Sequence, residues 1–297
     1  MKKVLILLLC VLLAGCAAAP DAQEGTFTDD LGRVVTVENP QRVACLTASF
    51  ADIWCAAGGA ETLAATTNAT WTYFDLPIGE EVVNLGGSKT LDLEALAACG
   101  PDLVLASAGT DRNLELEETL ELLGLNIAYF SVNSFEDYLR MLKICTNLTG
   151  RPDLYEQNGT AVAQRVDAAL ARPDGSEPSV LYIRATGTAC KVKNSEDSVL
   201  GEMLAALGCR NIADGGALES LSMEAILAED PDHIFVVMQT ADAQPILEST
   251  LLSDPAWQSL TAVQAGRYYV MDPALFNLKP NARWGEAYEI LADILYP

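Results

Sequence analysis

The chain has 297 residues, half of them hydrophobic, and a formal charge of −23. That length and apolar content suit one or two domains with sizeable cores. The acidity argues against a nucleic-acid-binding face, which must be basic, and points to solubility or to docking on a basic partner.

Met1-Lys2-Lys3 is a positive n-region, and Val4–Leu13 is an apolar h-region too short to span a bilayer comfortably. It ends in Leu13-Ala14-Gly15-Cys16, which resembles the bacterial lipobox, in which the cysteine is acylated and becomes the new N-terminus. We therefore expect a signal peptide over residues 1–15, a lipidated tether from Cys16 over residues 16–25, and an exported protein held on a membrane face. Cys10 leaves with the leader, and Cys45, Cys55, Cys99, Cys145, Cys190 and Cys209 remain. An even count outside the cell permits disulfides, but no CxxC occurs, so buried free thiols are the other reading. His233 is the one histidine, set in a Pro-Asp-His-Ile-Phe turn into a strand and read as structural. A metal site built from several histidines is thereby excluded.

The spacing predicts a hairpin over Thr26–Val37 around Asp29-Asp30-Leu31-Gly32, then a strand at Val43–Leu46. Thr47–Phe50 reads as a loop and Ala51–Gly58 as a helix with Asp52 in its first turn. Leu63–Thr66 reads as a strand, Asn68–Leu76 as a loop that carries Trp71 and Tyr73, and Val82–Leu85 with Gly86-Gly87 comes before Leu91. Leu103–Ala106 and Ile127–Phe130 are apolar strands, Glu115–Leu123 and Phe135–Leu148 helices. This alternation predicts a parallel α/β lobe over residues 26–148. Asp153–Ala171 is the longest helical pattern, with Leu154, Val162, Val166 and Leu170 on one stripe, and residues 149–175 form a rigid connector. A second lobe over residues 176–297 begins with strand Val180–Ile183 and a loop, Arg184–Val192. Helix Val199–Leu207, strands Ile234–Met238 and Tyr268–Met271, short helices around Ile246–Leu252 and Trp257–Leu260, and a final helix, Arg283–Leu295, follow.

An internal repeat links the lobes. LDLEALAACGPDLVL (residues 91–105) and LSMEAILAEDPDHIF (residues 221–235) align without gaps at an offset of 130. The identities are Leu91/Leu221, Glu94/Glu224, Ala95/Ala225, Ala98/Ala228, Pro101/Pro231 and Asp102/Asp232. Each copy places a Glu in the first turn of a short helix, ends the helix before a Pro-Asp turn, and continues into a buried strand. Either each Glu only favours its helix start, or the pair offers matched carboxylates on two similar lobes.

These features together resemble the solute-binding lipoproteins of ABC importers that serve ferric siderophores, haem and corrinoids. The resemblance rests on Asp30-Leu-Gly-Arg33, Val35-Thr-Val37, Pro40-Gln-Arg-Val43, Gly86-Gly87 before Leu93-Glu94, and Pro101-Asp-Leu-Val-Leu105. It continues through Gly208 to Asn211, Glu224 with Pro231-Asp232, Asp254-Pro-Ala-Trp257, and Ala262-Val-Gln-Ala-Gly266-Arg-Tyr-Tyr269. It implies the class III periplasmic-binding-protein fold: two Rossmann-like α/β lobes joined by a single long connecting helix, with the ligand cleft between them. It also implies a monomer without a resident cofactor, capturing a metal chelate and docking through Glu94 and Glu224 on arginines of the importer's membrane subunits.

Open α/β sheets bind ligands beyond their strand C-termini. Thr47, Ser49, Trp71, Tyr73, Arg184, Lys191, Met238, Gln239, Phe276, Arg283 and Trp284 are accordingly expected to line the cleft. Aromatic faces suit a porphyrin or corrin, and arginines an anionic ferric chelate; the alternative for each aromatic is packing within its lobe, favoured for Trp284 beside the final helix. Tyr73 is a candidate haem-iron ligand. A ferric siderophore is the expected ligand, with a corrinoid or haem as alternatives. An enzyme, or a sensor or adhesion lipoprotein without an importer, are rival readings. Gly86-Gly-Ser-Lys-Thr90 lacks the order of a phosphate-binding loop, and there is no GxSxG elbow.

Overall fold

The structure is a computed structural model that describes residues 25–196, 198–214, 222–240 and 242–297. The expected signal peptide, Cys16, residues 16–24 of the tether and Leu221 of the repeat lie outside the described residues.

Two five-stranded sheets are built in succession. A small antiparallel hairpin, β1 (Thr26–Thr28) and β2 (Val34–Thr36), precedes them. The first sheet contains β3 (Val43–Cys45), β4 (Leu63–Thr66), β5 (Val83–Asn84), β6 (Leu103–Ser107) and β7 (Ile127–Phe130). Their order is β5-β4-β3-β6-β7, and every pairing is parallel. Six helices belong to this half: α1 (Ala48–Ala56), α2 (Ala69–Tyr73), α3 (Leu93–Ala98), α4 (Asp111–Glu115), α5 (Glu117–Leu122) and α6 (Phe135–Leu148).

The chain then passes to the second sheet through α7 (Pro152–Tyr155), a π-helical turn (Glu156–Thr160) and α8 (Ala161–Leu170). The expected connector is thus helical but not uniformly α. Its widened turn contains Gly159, where a Cβ would press on Tyr155 and Leu139 at 3.2–3.3 Å. The second half carries β8 (Ser179–Ala185), β9 (Cys190–Lys193), α9 (Val199–Ala206), β10 (Arg210–Asn211), α10 (Met223–Glu229), β11 (His233–Met238), α11 (Ala243–Leu247), α12 (Thr261–Gln264), β12 (Tyr268–Met271), α13 (Pro273–Phe276) and α14 (Trp284–Leu295). Its order is β10-β8-β11-β12, all parallel, with β9 antiparallel on β8. The loop expected at Arg184–Val192 is therefore a hairpin: β8 runs on to Ala185 and β9 returns from Cys190.

Strands buried on both faces alternate between two cores. In β3 and β6, Val43, Cys45, Leu103 and Leu105 face one apolar layer, while Ala44, Val104 and Ala106 face another. In β8 and β11, Val180, Tyr182, Phe235 and Val237 share that first layer, while Leu181, Ile183, Ile234 and Val236 face a third. The first layer is continuous across both sheets, running from Phe130 through Met141, Val162 and Val166 to Trp284 and Leu291. Each fully buried side chain of this size contributes about 1.5–3 kcal/mol, so the shared layer resists a wide opening of the lobes. α8 packs along α14, where Arg165 pairs with Glu289 at 2.6 Å. Gly285 allows this close approach, since a Cβ there would lie 2.7 Å from that of Arg165.

The acidic motif residues act as staples. The Asp29 carboxylate accepts bonds from the backbone N–H groups of Arg33 and Tyr129 and from the Arg33 guanidinium. Asp30 accepts from the Ser131 N–H at 2.7 Å and from Arg140 at 2.8 Å. Together they fasten the hairpin to the end of β7. The repeated Pro-Asp has one role in both halves. Asp102 receives the N–H groups of Gln41 and Arg42 just before β3, and Asp232 receives the N–H and hydroxyl of Ser179 at the start of β8.

All six described cysteines are free thiols. Burial pushes the Cys55 thiol up to about 12, the neighbouring Asp52 adding to the effect. His233 is half-buried and stacks on Phe235 and Tyr269, in keeping with a structural role.

Candidate functional site

The first sheet opens a cavity of about 210 Å³ beyond the C-terminal ends of its strands. Hydroxyl side chains line it after each of them: Thr47 and Ser49 after β3, Thr67 after β4, Ser88 beyond β5, Ser107 and Thr110 at β6, and Ser131 after β7. Asn277, Leu278 and Lys279 cover it from the second half. Lys279 is the one charged residue among the lining residues.

Helix α1 starts at this cavity, a turn earlier than expected from the sequence. Thr47 is its N-cap but makes no side-chain cap bond, and the Thr47 Oγ1 is buried without a partner. No acidic residue stands in the first turn. The positive end of the helix dipole and its first N–H groups therefore meet the cavity uncompensated.

Three side chains make four hydrogen bonds between the halves around this cavity. The Lys279 Nζ donates to Asn133 Oδ1 at 3.1 Å. The Tyr73 hydroxyl donates to the Gln239 carbonyl at 3.4 Å. The Asn281 amide donates to the Ser49 carbonyl at 2.9 Å and to Asp52 Oδ2 at 2.7 Å. Asn281 is fully buried in a left-handed conformation (φ 54°), and its Oδ1 has no partner. Burial lifts the Asp52 carboxyl to about 6, against the bond from Asn281 and the charge of Arg283. Burial lowers the Lys279 ammonium to about 8; Asp137 opposes that fall and Arg184 adds to it.

The expected cleft residues divide. Thr47 and Ser49 line the cavity. Tyr73 and Gln239 bridge the halves, and Trp71 lies 45% exposed on α2, a short helix where the sequence suggested a loop. Arg184, next to the end of β8, lies close enough to Lys279 to depress its ammonium, and Lys191 stands opposite it on β9. Met238 packs on the outer core of the second sheet.

Two of the aromatics take the packing alternative and leave the cleft. Trp284 is fully buried between Phe135 and Tyr288, because the first turn of α14 faces the shared core. Phe276 is 1% exposed in the same core. A third expected residue, Arg283, is spent on a two-pronged pair with Glu286 at 2.7 Å beside an outer groove of the second sheet. Lys279, Asn133 and the hydroxyls of β4 to β7 were missed. The signal was present, since Thr67, Ser107 and Ser131 each end or follow an apolar strand.

The matched glutamates lie in equivalent settings. Asp92 caps α3 by accepting from the Ala95 N–H, and Ser222 caps α10 by accepting from the Ala225 N–H. Two residues beyond each cap stand Glu94 and Glu224, both exposed. Neither pairs with a cation among the described residues.

Comparison with known proteins agrees with this architecture. Residues 43–275 match the model of the periplasmic binding protein family. YhfQ of Bacillus subtilis, whose name places it among ABC transporter substrate-binding lipoproteins, is 24% identical over 94% of this chain and 93% of its own length. The periplasmic heme-binding protein RhuT from Roseiflexus sp. RS-1 shares the fold with a TM-score of 0.69 and 22% identity, over 86% of this chain and 98% of its own. The petrobactin-binding protein YclQ from Bacillus subtilis also reaches 0.69, at 16% identity, over 91% and 96% of the two chains. The family match and the two-sheet fold bear out the resemblance read from the sequence motifs, and the chain belongs to the periplasmic binding protein family.

Proposed function

We propose that this protein is the extracytoplasmic receptor of an ABC importer, that it captures a ferric siderophore in the cleft between its lobes, and that it delivers it to the membrane subunits. The observation that carries the reading is the chemistry of the cavity. Its described lining is rich in hydroxyls and amides, is crowned by one lysine, and among the described residues holds no His, Tyr, Cys or Met side chain that could ligate a haem iron. Tyr73, the candidate haem ligand, gives its hydroxyl to Gln239 and lies outside the lining residues. Phe50 is the one aromatic among the described lining residues, too little for the flat walls that a corrin or porphyrin favours.

The relatives name both haem and petrobactin as ligands, so the lining, not the likeness, favours the siderophore. A ligand of siderophore size exceeds about 210 Å³, since pockets for drug-sized molecules span roughly 300–1,000 Å³. Binding therefore breaks the cross-lobe contacts of Tyr73 or Lys279, while the shared apolar layer limits how far the lobes part. Glu94 and Glu224 dock on basic residues of the permease, and rim charges of this kind orient more than they tighten. Acylation of Cys16 keeps the receptor on the membrane face. The test is a calorimetric titration of the protein with ferric siderophores, cobalamin and haem. Saturable binding of a siderophore alone is the expected result, and binding of haem or cobalamin alone would overturn the ligand assignment.

A further inference from the structure

In a chain with a net charge of −23, the cleft cavity has no acidic residue among its described lining residues, and the one charged side chain among them is a lysine. Lys279 comes from the second half, in the loop between α13 and α14, and reaches across to the first. Among the described residues its ammonium donates to Asn133 Oδ1 at 3.1 Å, an uncharged amide that also lines the cavity. Asn277 and Leu278, its neighbours in sequence, face the same space. Opposite them are the Thr47 Oγ1, buried without a partner, and the uncompensated start of α1. A buried hydroxyl without a bond costs about 1–3 kcal/mol, so the site is organised to receive an acceptor that the protein does not itself supply.

We propose that Lys279 is the residue that selects the ligand by charge. It anchors an oxyanion of the bound chelate, a carboxylate or catecholate oxygen, and exchanges its cross-lobe bond to Asn133 for one to the ligand. The Thr47 hydroxyl and the first N–H groups of α1 bind the same anionic face. The assignment rests on the proposed capture of a ferric chelate and narrows it to anionic chelates. Exchange of Asn133 for the ligand also makes Lys279 a latch, because one of the bonds that tie the two halves together is the one that binding replaces.

A proton consequence follows from the charges around Lys279, namely Asp137 from α6 and Arg184 from β8. With its ammonium lowered to about 8, Lys279 is partly neutral at pH 8 in the free protein. An oxyanion favours the charged form, so binding at pH 8 takes up a fraction of a proton, at most about one half.

The test titrates the full-length protein at pH 8 with two probes, an anionic ferric tris-catecholate and a cationic ferric trihydroxamate, in two buffers that differ in ionisation heat. The expected result is preference for the tris-catecholate and net proton uptake. Lys279→Met should weaken that binding about tenfold to a hundredfold, the range of a charge-assisted bond, and abolish the uptake. Lys279→Arg, which keeps the charge, should restore most of the affinity, and melting curves of both variants show whether either change merely unfolds the protein. Tris-catecholate binding that is unchanged in Lys279→Met, or a wild type that prefers the cationic probe, would overturn the role of Lys279 and leave chelate capture standing. No binding of either probe by the wild type would overturn both.

Discussion

Asp52→Asn tests whether the contact between the halves is held under electrostatic stress. Asp52 accepts from the Asn281 amide at 2.7 Å, yet burial lifts its carboxyl from 3.8 to about 6. A folded-state value above the unfolded one means that the group contributes most below pH 4 and loses that contribution as pH rises through 6. At about 1.36 kcal/mol per pH unit, the ionised carboxylate costs the native protein about 3 kcal/mol at neutral pH. Solvent reaches the half-buried group, which cuts the recoverable part to about 1–2 kcal/mol. An asparagine at position 52 retains the acceptor for Asn281 and adds a donor for the Asn281 Oδ1, which has no partner. Melting curves from pH 4 to 8 should place the variant about 2–6 °C above the wild type at pH 7.5, with the gap closing towards pH 4. A variant that melts lower at pH 7.5, or a gap independent of pH, would refute the reasoning.

Other outcomes follow from single contacts. Thr47→Val removes a hydroxyl that has no protein partner; it should leave the melting temperature unchanged or higher and weaken chelate binding severalfold, as calorimetry would show. Asp102→Ala and Asp232→Ala each strip bonds from the start of a strand; each should cost about 1–3 kcal/mol in urea unfolding, by similar amounts because their roles match. Disruption of the Asp29 staple, with its buried carboxylate and Arg33 partner, should cost more, about 3–5 kcal/mol for Asp29→Ala.

Strands and the long helices were legible because their signals are local. The nearly unbroken apolar runs of β3, β6, β8 and β11 report two buried faces, and α6 begins with a Ser134–Asp137 capping box ahead of an apolar stripe. The start of α1 was obscured because Thr47 forms no cap bond and Ala48-Ser49-Phe50 continues the apolar run of β3. Helix α2, five residues long, is too short to carry a periodicity. The glutamate pair was visible through the repeat, but the repeat could not reveal that Asp102 and Asp232 pin the strand starts, since their partners lie 61 and 53 residues away in the chain. Trp284 and Phe276 are placed at the cleft by their position beyond the strand ends, and the packing of α13 and α14 sends them into the core. Lys279 sits in Leu-Lys-Pro with no local pattern, and its reach to Asn133 spans 146 residues.

Capture followed by delivery is the central claim, and uptake of radio-iron into cells tests it most directly. Cells lacking this protein should fail to accumulate iron from an anionic ferric siderophore, and the wild-type gene should restore accumulation. A version carrying Glu94→Arg and Glu224→Arg should bind the chelate with unchanged affinity in vitro yet fail to restore uptake. Uptake that survives loss of the protein, or that the doubly reversed version restores in full, would contradict the account.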